Sequence, residues 1–192
     1  AGLVAGLAGC TNNPTAGRSP AATLQGAIEA VSQARNFTIS EHTEQPPGPT
    51  VDDHIVVQSP NRLSVDGTTI AIGGTAYRLQ PNLTWTTEHS PGIQNKLRKG
   101  ALLYIGLLGA ATQVTRQGNQ FTVTGTEAES LLRSSGVTGF KKASGVSFTA
   151  TVEGGQLRQE VVRVTSPAVS VTITVSAVGT SPQVTVPPSA PK

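Results

Sequence analysis

The sequence predicts an α+β fold in which a strongly curved antiparallel sheet, a half-barrel, wraps around a few helices. Three observations carry that prediction. Segments rich in Val, Ile, Thr and Ser alternate apolar and hydroxyl-bearing residues at period two, as strands with one covered face do. Only three stretches have helical character, so the cover for that face is small. Aromatic residues make up 4% and charged residues 13% of the 192-residue chain, both low, so small side chains line the space under the bent sheet and leave room for a cavity.

The first helix is read over residues 21–35, where Leu24, Ala27, Ile28, Val31 and Ala34 recur at three- and four-residue spacing. Ser19-Pro20 supplies an N-cap and a proline at the first helical position. Phe37 and Ile39, alternating with Thr38 and Ser40, begin the sheet, and Pro46-Pro47-Gly48-Pro49 breaks it with a loop. Ile55-Val56-Val57 and then Leu63 and Val65 follow, interrupted by Ser59-Pro60. Asp66-Gly67 is a two-residue hairpin signal leading to Thr69-Ile70-Ala71-Ile72, and Gly73-Gly74 turns the chain into Tyr77 and Leu79. The pattern is an up-and-down meander, closed by Pro81 and the lone Trp85. Ser90-Pro91-Gly92 then leads through a basic turn, Lys96-Leu97-Arg98-Lys99, into the apolar stretch 101–111.

The second half repeats the style. Strands at 113–116 and 121–123 flank a turn at Gly118-Asn119, and Thr126-x-x-Glu129 reads as a capping box for a short helix that carries Leu131 and Leu132 and ends at Gly136. Three clean strands close the domain: Val146, Phe148, Ala150 and Val152; then 157–164 after Gly154-Gly155; then Val169, Val171, Ile173 and Val175. The domain is bounded at 21–180, and residues 181–192 form a Pro-rich tail expected to fray.

The N-terminus carries the sharpest chemical signal. Residues 1–9 are small, apolar and uncharged, as in the end of a truncated secretory signal peptide, and Leu7-Ala8-Gly9-Cys10 matches the bacterial lipobox. The thiol is the nucleophile needed for diacylglyceryl transfer, and small residues before it let the peptidase reach the Gly9–Cys10 bond. Cys10 is therefore the expected lipidation site, bearing palmitate-type acyl chains, and residues 10–20 are its flexible tether. Each buried methylene adds about 0.8 kcal/mol to such an anchor. The expected location is the outer face of a cell membrane.

Other chemistries find no support. The net charge of +3 comes without a basic stripe or interleaved aromatics, so no nucleic-acid partner is expected. One cysteine excludes an internal disulfide framework. His42, His54 and His89 each follow an acid, but none has HxxxH or HExxH spacing, so no metal is expected. There is no G-x-S-x-G elbow or phosphate-binding glycine loop; no catalytic residue or cofactor is assigned, and the chain is not read as an enzyme. Asn36-Phe37-Thr38 and Asn82-Leu83-Thr84 match a glycosylation sequon by pattern only.

The stretch 101–111 is too short to span a bilayer, which takes about 20 residues, and too uniformly apolar for an ordinary surface helix. It has two readings. As a plug it is core. As a lid, Leu102, Leu103, Ile105, Leu107 and Leu108 line a cavity mouth, and Lys96, Arg98 and Lys99 face anionic headgroups. The remaining cavity-wall candidates are Phe37, Ile39, Tyr77, Leu79, Phe148, Val171 and Ile173, each with core packing as the alternative role. Trp85 is read either at the rim or as buried packing.

A lipobox, tether, long helix, meander, apolar helix, hairpin, short helix and three long strands, in that order, resemble the LppX/LprG family of actinobacterial lipoproteins, which share the half-barrel of the LolA/LolB carriers. The local likeness lies in Leu102-Leu103 through Leu107-Leu108 and Ala111, then Val114-Thr115-Arg116-Gln117-Gly118 and Phe121-Thr122-Val123-Thr124-Gly125. The resemblance implies an apolar helix at the entrance of a lipid cavity, an acylated lipid or glycolipid as ligand, transport within the cell envelope and an envelope transporter as a partner. The basic residues before the apolar helix and the scarcity of aromatics depart from the better-known members. The alternative function is an envelope scaffold or sensor lipoprotein with a filled core, acting through protein partners.

Overall fold

The structure, a computed structural model, describes residues 17–58 and 61–189. The signal-peptide and lipidation readings, including Cys10, lie outside the described residues, as does the Ser59-Pro60 interruption. The chain runs α1 (Pro20–Gln33), β1 (Asn36–Glu44), β2 (Val51–Gln58), β3 (Arg62–Val65), β4 (Thr69–Ile72), β5 (Thr75–Leu79), β6 (Trp85–His89), α2 (Ile93–Ala101) and α3 (Leu103–Leu108). It continues through β7 (Thr115–Gln117), β8 (Gln120–Thr124), α4 (Gly125–Ser134), β9 (Ser147–Glu153), β10 (Gln156–Val164) and β11 (Val169–Ser176).

All eleven strands join one unclosed antiparallel sheet in the order β6-β5-β4-β3-β2-β1-β11-β10-β9-β8-β7. Two meanders, one from each half of the chain, are joined where β1 pairs with β11. The expected α+β architecture is therefore the observed one. Local chemistry explains its joints. The Ser19 hydroxyl accepts from the amide of Ala22 at 3.2 Å and caps α1 ahead of Pro20. Asp66 and Gly67 take φ of 50° and 65°, the left-handed pair of a turn closed by the Thr68 amide on the Val65 carbonyl (3.0 Å); because Val65 pairs with Thr69, the hairpin loop has three residues, 66–68, where the sequence predicts two.

The core fills the inner face. Leu24, Ala27, Ile28 and Val31 of α1 pack with Phe37, Ile39, Phe148, Leu157, Val171 and Ile173 from the strands and with Leu132 from α4. A smaller cluster of Ala71, Ala76 and Ile93 lies under α2, bridged to the main core by Leu97.

Two expectations at the ends of elements fail. The capping box does not form: α4 begins at Gly125 without a side-chain cap, because Glu129 is drawn instead to the amide of Gly145 (3.0 Å) and to Arg133 (3.1 Å). The start of α4 is tied down by Glu127, which accepts from the amide and hydroxyl of Thr112, both at 2.7 Å, and from the amide of Gln113 at 2.9 Å. The Pro-rich tail is also anchored where it is described. Ser181 donates to the Val57 carbonyl, Val184 donates to Gln58, and Arg62 donates to the Val184 carbonyl at 2.7 Å. Val184 is buried, so this segment is strapped across the ends of β2 and β3 rather than frayed.

Candidate functional site

The apolar stretch 101–111 is neither one helix nor preceded by a turn. Lys96, Leu97, Arg98 and Lys99 belong to α2, which ends at Ala101; Leu102, at φ −97° and ψ 9°, breaks the helix before α3 resumes at Leu103. Near-zero ψ at Leu102 lies in the bridge region, outside the helical well, but the Leu102 amide still donates to the Arg98 carbonyl (3.0 Å) and the Gly106 amide to the Leu102 carbonyl (2.8 Å), so the faces of α2 continue into α3.

Helical periodicity through Leu102 makes the stretch both plug and lid. Ala101, Ile105 and Leu108 turn inward, the last two at 0% and 1% exposure. The end of α3 rests so close to α1 that a Cβ on Gly109 would stand 3.1 Å from Ile28 Cγ2. On the other side, Leu102, Leu103, Gly106 and Leu107, with Asn95, Arg98 and Lys99, line an open and mostly apolar groove of about 450 Å³. That volume lies within the roughly 300–1,000 Å³ typical of ligand pockets.

The predicted cations divide. Lys96 and Lys99 are exposed. Arg98 is committed to the fold: its Nη2 donates to the carbonyls of Ser32 (2.7 Å) and Ala34 (3.0 Å) at the end of α1, and its guanidinium lies 5.1 Å from the Phe37 ring centroid. Arg98 thus lines the groove while its Nη2 is already shared with the end of α1.

The wall candidates divide as well. Phe37, Ile39, Phe148, Val171 and Ile173 are all inward and at most 1% exposed, packed in the main core. Tyr77 and Leu79 are corrected, because they lie on the other face. Phe37, Val57, Leu63, Ala71 and Ala76 pair in one row on the core side, whereas Tyr77 pairs with Ile70 and Leu79 with Trp85 in the opposite alternation. With period two, one step of register decides the face. Trp85 shares the outer face with Leu79 and is half-buried.

Sequence reasoning passed over an inward polar group. Glu160 on β10 has no exposure, and neither carboxyl oxygen has a hydrogen-bond partner. Burial, and then the nearby Glu41 charge, push its pKa up to about 8 from the ordinary 4.5. Glu41 is itself raised by burial first and Asp53 second, with a hydrogen bond from Thr43 (3.4 Å) opposing. Tyr104 of α3, under burial and the charges of Glu41 and Glu160, is pushed up to about 12. The signal was present: Glu160 stands two and four residues before Val162 and Val164, the buried alternation of β10.

The outer face carries a second polar cluster. His42 Nδ1 lies 2.6 Å from Asp52, which raises the imidazole pKa, and Ser40 Oγ lies 3.3 Å from His54 Nδ1 beside Thr172 and Thr174, in a shallow pocket of about 340 Å³. The carboxylate pairs with His42 and not with the histidine facing Ser40, so the three do not form a nucleophile–base–orienter relay. Among the described residues no group of three or more His, Cys, Asp or Glu is placed to hold a metal ion.

An unclosed antiparallel half-barrel, with its helices on the inner face and an apolar groove on the covering helix, defines the class. Among solved structures the chain is similar to LprF from Mycobacterium bovis, at 14% identity and TM-score 0.56 over 90% of this chain and 97% of that one. It is similar also to the lipoprotein LppX of Mycobacterium tuberculosis, at 15% identity and TM-score 0.51 over 86% of this chain and 98% of that one. The resemblance read from element order thus holds at the level of the fold. No protein-family pattern matches the sequence, and no curated protein does.

Proposed function

We propose that this chain is an envelope protein, lipid-anchored at the outer face of the cell membrane, that binds an acylated lipid or glycolipid and carries it within the envelope. The observation that carries the reading is the two-sided stretch 102–108, whose Leu102, Leu103 and Leu107 face an open groove while Ile105 and Leu108 close the core behind it. An acyl chain entering there is desolvated at about 0.8 kcal/mol per methylene, and displacement of α3 extends the groove toward the inner face. Cys10, through its lipobox, supplies the anchor; no helix among the described residues is long and apolar enough to cross a membrane. The half-barrel shared with lipoprotein LppX supports the same reading.

The filled inner face favours a second reading, a scaffold or sensor acting through protein partners, since five of the wall candidates are fully packed. One experiment separates them. Non-acylated protein purified from a bacterial host is extracted and its lipids analysed by mass spectrometry, alongside Gly106→Trp. A Cβ at Gly106 meets nothing within 4 Å, so this change fills the groove without disturbing the core. Bound lipid in the parent and none in the variant supports the carrier; absence of lipid in both, with no uptake on incubation, leaves the scaffold.

A further inference from the structure

Among the described residues, the inner face of the sheet carries a buried carboxyl, Glu160, with no hydrogen-bond partner on either oxygen. Glu160 is turned inward by an irregularity in the β9–β10 ladder between Leu157 and Gln159, which puts Leu157 and Glu160, three residues apart, on the same face as Val162 and Val164. Its ladder partner Ile173 is also the partner of Glu41, so the two carboxyls lie in one row on one face, with β11 between them. Two strand spacings amount to roughly 10 Å. Tyr104 shares its helical face with Ala101 and Leu108, packs partly buried against the main core from α3, and has its pKa raised by burial first and then by the charges of both carboxyls.

A buried carboxyl with both oxygens unpartnered is among the costliest features a core can hold, and a native structure that keeps one calls for an occupant. The charge acting on Glu160 is that of Glu41, of the same sign, so no side-chain ion pair offsets the burial. We infer that Glu160, with Glu41 and Tyr104, is a polar seat for the hydroxyl-bearing head of a neutral acylated ligand, a glycerol or sugar ester whose chain leads out to the α2–α3 groove. A protonated carboxyl both donates and accepts, as a hydroxyl does, so the pair is reciprocally satisfied. A phosphate or carboxylate head meets two acids and is disfavoured. The inference rests on the lipid-binding reading and specifies the end of the ligand that goes inside.

The test uses the full chain and three probes: 1-monopalmitoylglycerol, methyl palmitate, which keeps the chain and lacks the hydroxyls, and dodecyl maltoside as the sugar-headed case. Binding is measured by titration calorimetry on the parent, Glu160→Leu and Glu160→Gln, with folding of each variant checked by circular dichroism. Glu160→Leu replaces an orphaned acid by an apolar side chain and is expected to fold. The parent is expected to bind monopalmitoylglycerol at least tenfold more tightly than methyl palmitate. Glu160→Leu is expected to bind the two alike, with methyl palmitate unchanged, and Glu160→Gln to keep part of the preference. Loss of dodecyl maltoside binding in Glu160→Leu assigns a sugar head; its persistence beside loss of the glyceride preference assigns glycerol. Equal binding of both palmitate esters by the parent overturns the seat and leaves acyl binding standing. Retention of the preference by Glu160→Leu overturns it as well, and failure of the parent to bind any probe overturns the seat together with the lipid-binding reading.

Discussion

The two meanders of the sheet are covered very differently. The half made of β7 to β11, with β1, lies under α1, α3 and α4 and holds most of the main core. The half made of β2 to β6 lies under α2, where Ala71, Ala76 and Ile93 form a satellite cluster, and on β6 every residue after Trp85 is exposed. Burial of apolar area sets local stability, so the half made of β7 to β11 is expected to resist opening and the half made of β2 to β6 to yield first. α2 covers the thinner half and α3 the thicker one, so the apolar groove they share spans the two.

The largest test of that contrast is truncation on the two faces of α3. Leu108→Ala is expected to cost about 2–5 kcal/mol in urea unfolding, the range for a fully buried leucine. Leu103→Ala, on the groove side, is expected to stay within about 0.5 kcal/mol, as surface changes do. Similar losses at the two positions break the picture of a two-sided helix.

Next comes the pH dependence of Glu160. Its folded-state pKa is raised to about 8 from 4.5, so the native state holds the proton more tightly than the unfolded chain. Stability from this group is therefore complete below the ordinary value, falls by about 1.4 kcal/mol per pH unit on rising toward the folded value, and flattens above it. Glu41, also raised, acts with the same sign. Thermal melts from pH 5 to pH 9 are expected to show this decline in the parent and a much shallower one in Glu160→Leu. Parallel curves contradict the buried position of the acid.

Glu127 supplies the opposite sign on a smaller scale. Its three hydrogen bonds from Thr112 and Gln113 hold its pKa below the usual carboxylate value, so its contribution is present above that value and is lost in acid. The site is open to solvent, and Glu127→Gln is expected to cost only about 0.5–1 kcal/mol at pH 7 in chemical denaturation. A loss as large as that of Leu108→Ala moves this loop into the rigid half.

Much of the fold was legible because local rules and tertiary packing agree. The spacing of Leu24, Ile28 and Val31 marks α1, Asp66-Gly67 marks its hairpin, and the alternations 146–152 and 169–175 are the two strands that flank β10 in the sheet. What escaped depends on register and breaks. Tyr77 and Leu79 look like inward residues by hydrophobicity, but the pairing of Ala71 with Ala76 gives the inner face to alanines that make room for Ile93. The helix break at Leu102 follows from no proline, so the run of leucines concealed it. Glu160 was passed over because a charged residue among Val161, Val162 and Val164 reads as solvent-facing until the alternation is counted back from Val164.

Acyl chains are expected to bind at the α2–α3 groove, and photo-crosslinking reads out that position. A diazirine-bearing palmitate is incubated with the non-acylated chain, irradiated, and the label mapped by tryptic peptide. Cleavage after Lys99 and Arg116 isolates residues 100–116, which carry Leu102, Leu103, Gly106 and Leu107 of the groove. The account predicts that most of the label falls on that peptide and is lost in Gly106→Trp. Label concentrated on the outer-face strands, or unchanged in that variant, contradicts it.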